Sequence, residues 1–179
     1  MGFGTDSKVH AYILREGETS VPESMQKVFD LGIKALDIMR PHMKVGMTGG
    51  ESLAAMVKAM EDAGYIYTPF FDNGTEDYKM IQNALANTNK PGFSIDIHAF
   101  GNTGGSLRVE GPSMAPFRVN THNLKIQANH IFAYEYMIHM NIPERPGFPL
   151  AMNFSNPQII SSRGVELLRQ PKEEIVLIH

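Results

Sequence analysis

Phe93-Ser94-Ile95-Asp96-Ile97-His98-Ala99-Phe100 is the stretch on which the reading of the fold depends. Apolar Phe93, Ile95, Ile97 and Ala99 alternate with Ser94, Asp96, His98 and Phe100, the period-2 signature of a strand with one buried face. Upstream of it the apolar residues recur at helical spacing, and downstream they fall into further strands. The switch from one period to the other at Lys90-Pro91-Gly92 divides the chain into a helical first half and a sheet-forming second half.

Working back from Phe93, a helix is expected over about Thr75 to Asn87, with Tyr78, Ile81 and Leu85 inward. Before it, Thr48-Gly49-Gly50-Glu51 reads as a capping box: the Thr hydroxyl and the Glu carboxylate each satisfy a free N–H of a helix's first turn. Leu53, Met56, Val57 and Met60 form that helix's stripe, and Gly64 marks its stop. An earlier helix starts near Pro22 and buries Met25, Val28, Phe29, Gly32, Ile33, Leu36 and Met39. Val9-His10-Ala11-Tyr12-Ile13-Leu14 precedes it as a strand. Forward from Phe100 lie the glycine loop Gly101–Gly105, a long strand over Ile131 to Met140, and short strands at Leu150–Phe154, Gln158–Ser161 and Glu174–Ile178. Pro and Gly are read as turn markers between the last three. The fold class this predicts is α+β, with helices packed on a curved, mostly antiparallel sheet in a single domain over residues 1–179.

Composition narrows the function classes. Net charge is −3 with both signs scattered, so there is no basic stripe for nucleic acid. With no cysteine, thiolate nucleophiles and Cys-ligated zinc are excluded, and any metal must use His, Asp or Glu. No stretch approaches the roughly 20 apolar residues needed to cross a bilayer, and no signal peptide is visible, so a cytoplasmic chain is expected. The twelve methionines mostly fall on helix stripes and are read as core.

Three residues could carry chemistry. Glu135 stands mid-strand in Ala133-Tyr134-Glu135-Tyr136-Met137, where an ionised carboxylate must be paired, hydrogen-bonded or bound to a metal. It shares a face with Ala133, Met137 and His139 and is either a ligand or the partner of a nearby Arg or Lys. His98 shares a face with Ser94 and Asp96 and is either structural or catalytic. Asp6, entering the first strand, is a candidate metal ligand or a strand cap.

Taken in order, several segments resemble the creatinase/aminopeptidase superfamily, in its Xaa-Pro aminopeptidase and prolidase branch. Gly4-Thr5-Asp6-Ser7-Lys8-Val9-His10-Ala11-Tyr12 resembles the strand of the second metal Asp, and Gly46-Met47-Thr48-Gly49-Gly50-Glu51 a characteristic helix start. Asp96-Ile97-His98 is similar to the segment of the active-site histidines, Tyr134-Glu135-Tyr136 to that of the first metal Glu, and Ser162-Arg163-Gly164-Val165-Glu166 to the turn of the closing hairpin. The resemblance implies the pita-bread fold, joined part-way so that the first metal Asp falls before Met1. It also implies a divalent-metal site (Mn, Co or Zn), with Asp6 and Glu135 as metal ligands and His98 as the catalytic histidine. The family's two metals hold a bridging water between two Asp, one His and two Glu. Here the second Glu should fall in Met152-Asn153-Phe154-Ser155-Asn156, which has no carboxylate, and the metal His is lost unless His98 itself substitutes. The implied function is an Xaa-Pro-type metallopeptidase homologue with weak or absent activity. The alternative is a non-catalytic module that binds peptide or protein in the old cleft, lined by Phe100, Tyr134 and Tyr136. A peptide partner and a homodimer are expected, and neither nucleic acid nor membrane.

Overall fold

The computed structural model describes residues 7–71, 73–100, 111–170 and 173–179. In chain order they form β1 (Ala11–Ile13), α1 (Glu23–Met39), α2 (Gly49–Asp62), β2 (Ile66–Tyr67), α3 (Thr75–Leu85), β3 (Gly92–Ile95), β4 (His98–Ala99), β5 (Ile131–Met140), β6 (Leu150–Ser161), β7 (Gly164–Leu167) and β8 (Val176–Ile178). The expected α+β layout is present. The main sheet runs β2-β3-β5-β6-β7, antiparallel except for the parallel edge pair β2–β3, and β4 also pairs with β5.

Local chemistry explains the helices. At α2, Thr48 Oγ1 accepts from the Glu51 N–H at 3.2 Å, and Glu51 Oε2 accepts from the Thr48 N–H at 2.8 Å, so both halves of the capping box form. Gly64 ends this region with φ +94°, a left-handed conformation that a side chain would strain.

The even-numbered residues of β5, among them Phe132, Tyr134, Tyr136 and Ile138, join Phe93, Ile95 and Ile97 in the core beneath α1 and α2. α1 comes close enough that a Cβ on Gly32 would stand 2.0 Å from Phe154 Cζ on β6. Phe154 in turn stacks on Tyr136, with ring centroids 5.2 Å apart. Tyr134 and Tyr136 are therefore core residues and do not line a cleft. The alternation sets them on a face opposite to Glu135, and that face is the one α1 and α2 cover. α3 lies over the other face at its Gly92 end, where a Cβ on Gly92 would meet Leu85 at 3.3 Å.

Two strand boundaries differ from the sequence reading. The run from Phe93 breaks at Asp96 and Ile97, because the Ile97 carbonyl turns to accept from Met114 N–H at 2.8 Å and Ser113 Oγ at 3.2 Å. The register against β5 is nevertheless continuous, Ile95 opposite Tyr136 and His98 opposite Ala133. Leu150 to Ser161 is one strand and not two, with Pro157 inside it. The Pro157 carbonyl accepts from Leu168 N–H at 3.2 Å, so its backbone polar side faces β7. The missing N–H then falls just beyond the end of β7 and leaves the ladder to β5 intact. β8 does not extend the main sheet but pairs in parallel with β1.

Candidate functional site

On the sheet face turned away from α1 and α2, the register places Asp96, Glu135 and Ser155 in one row across β3–β5–β6. Asp96 N–H donates to the Glu135 carbonyl at 2.9 Å, and Glu135 pairs with Ser155. His98, two residues along from Asp96, sits diagonal to Glu135 and reaches it: His98 Nε2 lies 3.1 Å from Glu135 Oε2. The two residues singled out from their strand faces are thus in direct contact, and Asp96 joins them. One donor atom from each of Asp96, His98 and Glu135 lies within 4.8 Å of the others, close enough to hold one metal ion. Asp6, the third sequence candidate, lies outside the described residues, as do the Gly101–Gly105 loop and Glu110.

The group is already occupied by charges of its own chain. Lys8 Nζ donates to Glu135 Oε1. The Lys8 backbone N–H donates to the Ser155 carbonyl at 3.0 Å, which lays the first described residues along the outer edge of β6. From there the Lys8 side chain reaches Glu135, which pairs with Ser155 across β5–β6. Arg118 Nη2 lies 3.5 Å from Asp96 Oδ1, an ion pair longer than a hydrogen bond.

The electrostatics follow from these contacts. Burial alone would raise the Glu135 carboxyl, but the hydrogen bonds from His98 and Lys8 and their charges hold it down at about 2. Burial lifts Asp96 to about 6; Arg118 and His98 only partly offset it, and the neighbouring Glu135 charge adds to it. For His98, burial lowers the pKa, yet the bonds to Glu135 and to the Ala99 carbonyl, helped by Asp96, carry it above its ordinary value. Both of those partners accept, with His98 Nδ1 3.1 Å from the Ala99 carbonyl, so the ring is bonded as an imidazolium that donates from both nitrogens. To ligate a metal, His98 must first lose a proton and Glu135 must release Lys8.

Among the described residues, the group fits one divalent ion and does not fit a two-metal centre. Ser155 stands opposite Glu135, where the resemblance calls for a second carboxylate, and β6 carries none anywhere along its length. The sequence reading missed Lys8 as a site residue. The signal was present, since a carboxylate in an apolar strand demands a cation, but nothing local says which one.

No family model matches the chain, and no curated protein matches it in sequence. Solved structures match in fold. Against the X-Pro aminopeptidase from Thermotoga maritima the TM-score is 0.52 at 13% identity, covering 89% of this chain and 35% of that one. Against the N-terminal domain of FACT complex subunit Spt16 from Eremothecium gossypii it is 0.55 at 10% identity, covering 89% and 31%. Against a dipeptidase from Pyrococcus horikoshii it is 0.50 at 11% identity, covering 93% and 35%. The chain spans about a third of the length of each of these proteins. At these identities the likeness is one of architecture, and the chain carries the pita-bread fold that aminopeptidases, dipeptidases and the Spt16 N-terminal domain share.

Proposed function

We propose that this chain is a pseudo-peptidase module: a non-catalytic relative of the pita-bread peptidases that binds a peptide or protein segment. The observation that supports it is the occupation of Glu135, whose two oxygens are held by Lys8 and His98. A tethered ammonium competes with any dissolved cation at the high effective concentration of an intramolecular partner. Asp96 has Arg118 nearby as a looser counter-charge, 3.5 Å away. Peptide hydrolysis at a two-metal centre needs carboxylates committed to metal, and here Glu135 is committed to side chains. The architecture is compatible with this reading, since its solved examples include a domain of a complex subunit as well as peptidases.

A second reading is favoured by one observation, the grouping of Asp96, His98 and Glu135 around a common point. In it a single divalent ion displaces Lys8 and supports slow Xaa-Pro-type hydrolysis. Metal analysis of the purified protein after incubation with manganese, cobalt or zinc, together with hydrolysis of an Xaa-Pro dipeptide, separates the two. The pseudo-peptidase reading expects substoichiometric metal, no turnover, and saturable binding of peptides. One ion per chain with turnover establishes the second reading in its place. Two ions per chain with turnover overturn both.

A further inference from the structure

A separate cavity of about 600 Å³ lies between α3, the end of β5 and the start of β6. Its volume is in the range of small-molecule sites, roughly 300–1,000 Å³. Tyr78 and Gln82 of α3, His139 of β5, and Arg145 and Phe148 of the β5–β6 connection line it. Gln82 Nε2 donates to the Gly147 carbonyl and ties α3 to that connection, so the walls are held together.

Three features of the lining point to a ligand. His139 is only 1% exposed, and burial holds its pKa down at about 4, so the ring is neutral. Its Nε2 lies 2.9 Å from Ser94 Oγ, whose one hydrogen goes to the Thr68 carbonyl at 2.5 Å. Nε2 must therefore donate, and Nδ1 carries a lone pair that no described residue engages. The second feature is the Arg145 guanidinium, which pairs with no carboxylate among the described residues. Lys79, the other cation of the lining, is bound to Glu76 at 2.8 Å. The third is a pair of large rings left in solvent beside the cavity, Tyr78 and Phe148, 62% and 64% exposed.

One chemistry answers all three at once. We propose that this cavity binds an N-acylated aromatic amino acid, the chemistry of a peptide's C-terminal Phe or Tyr. The carboxylate pairs with Arg145 in the bidentate manner that guanidinium favours. The ring stacks between Tyr78 and Phe148, and the amide N–H donates to His139 Nδ1. The proposal is independent of the reading of the Asp96–His98–Glu135 group, since the two share no residue.

The test is calorimetric titration of the whole chain with N-acetylphenylalanine, beside its carboxamide analogue and hydrocinnamate. The first lacks the carboxylate and the second the N–H donor. Saturable binding of N-acetylphenylalanine is expected, with a loss of about tenfold or more for either analogue. Arg145→Gln and Phe148→Ala, both on the surface connection, should each lose affinity while circular dichroism shows the fold kept. In ¹⁵N spectra, the His139 Nδ1 resonance should shift with N-acetylphenylalanine and not with hydrocinnamate. Absence of saturable binding with the fold intact, equal binding of the carboxamide, or full affinity in Arg145→Gln overturns the proposal.

Discussion

Replacing Lys8 with methionine keeps the length of the side chain and removes its charge, and with it the contact on which the proposed function depends. The Lys8 side chain is 33% exposed and that of Glu135 14%, so the pair lies between two well-characterised limits. Exposed ion pairs contribute about 0–1 kcal/mol, and breaking a fully buried pair costs about 3–5 kcal/mol. His98 remains as a partner and Lys8 is partly screened, which sets the expected loss for Lys8→Met at about 2 kcal/mol. In a chain of this size that lowers Tm by roughly 4–8 °C. The Glu135 carboxyl, now held by His98 alone, climbs from about 2 toward its ordinary 4.5. The freed carboxylate is then open to a divalent ion, and a ligand at 100 times its Kd restores about 2.7 kcal/mol. Thermal melts of both proteins with and without manganese or zinc check the whole chain of argument. The variant should melt lower and recover with metal, whereas the parent should not respond. A variant that melts with the parent, or a parent that gains as much from metal, refutes the idea that Lys8 fills this position.

Three further outcomes are expected. Gly32→Ala should destabilise by up to about 2 kcal/mol in urea: the gain in helix propensity, about 1 kcal/mol, is set against overpacking of about 1–3 kcal/mol. The added Cβ meets a Phe154 ring already stacked on Tyr136, so Phe154→Leu in the same chain should recover part of the loss. Thr48→Ala should cost about 1 kcal/mol by removing the α2 cap, read in the same assay. Asp96 has its folded pKa raised from 3.8 to about 6, so the native state binds the extra proton, and the contribution of Asp96 to stability declines as pH rises from about 4 to about 6. Glu135 has its folded pKa lowered, so its contribution is present above 4.5 and is lost as pH falls toward about 2. Asp96→Asn should flatten the dependence between pH 4 and 6 and leave the acid limb; an unchanged slope in that window contradicts the assignment.

What was legible in the sequence was what short-range physics decides. The capping box at Thr48 and Glu51 uses partners three residues apart, and the bounds of β5 follow from a nearly continuous apolar run. Period-2 spacing set His98 beside Ser94 and Asp96, and Glu135 beside Ala133, Met137 and His139; that the two strands present these faces together is decided by their register. The spacing also implied that Tyr134 and Tyr136 lie opposite, although whether helix or solvent covers a face is settled only by tertiary packing. Pro157 misled because its cost depends on which neighbour its nitrogen faces, and that neighbour is β7 just past its last residue. The cation for Glu135 was called for, but 127 residues separate it from Lys8, and no local pattern bridges such a distance. The Tyr78–His139–Arg145 cavity was equally hidden, since its walls come from a helix, a strand and a connection that meet only in the folded sheet.

The parallel pairing of β1 with β8 has a kinetic consequence. Ala11 aligns with Val176, so this contact closes nearly the whole chain into a loop. Its formation must wait for the intervening elements, and it repays that entropy with two three-residue strands that bury little. Such an element belongs to the class that opens by local unfolding well below the global free energy. Lys8 lies just ahead of β1 and is carried on the same segment. Opening of this closing strand loosens the segment that holds Lys8 on Glu135, and hydrogen exchange at Ala11–Ile13 should report the free energy of that opening while the amides of β5 stay protected.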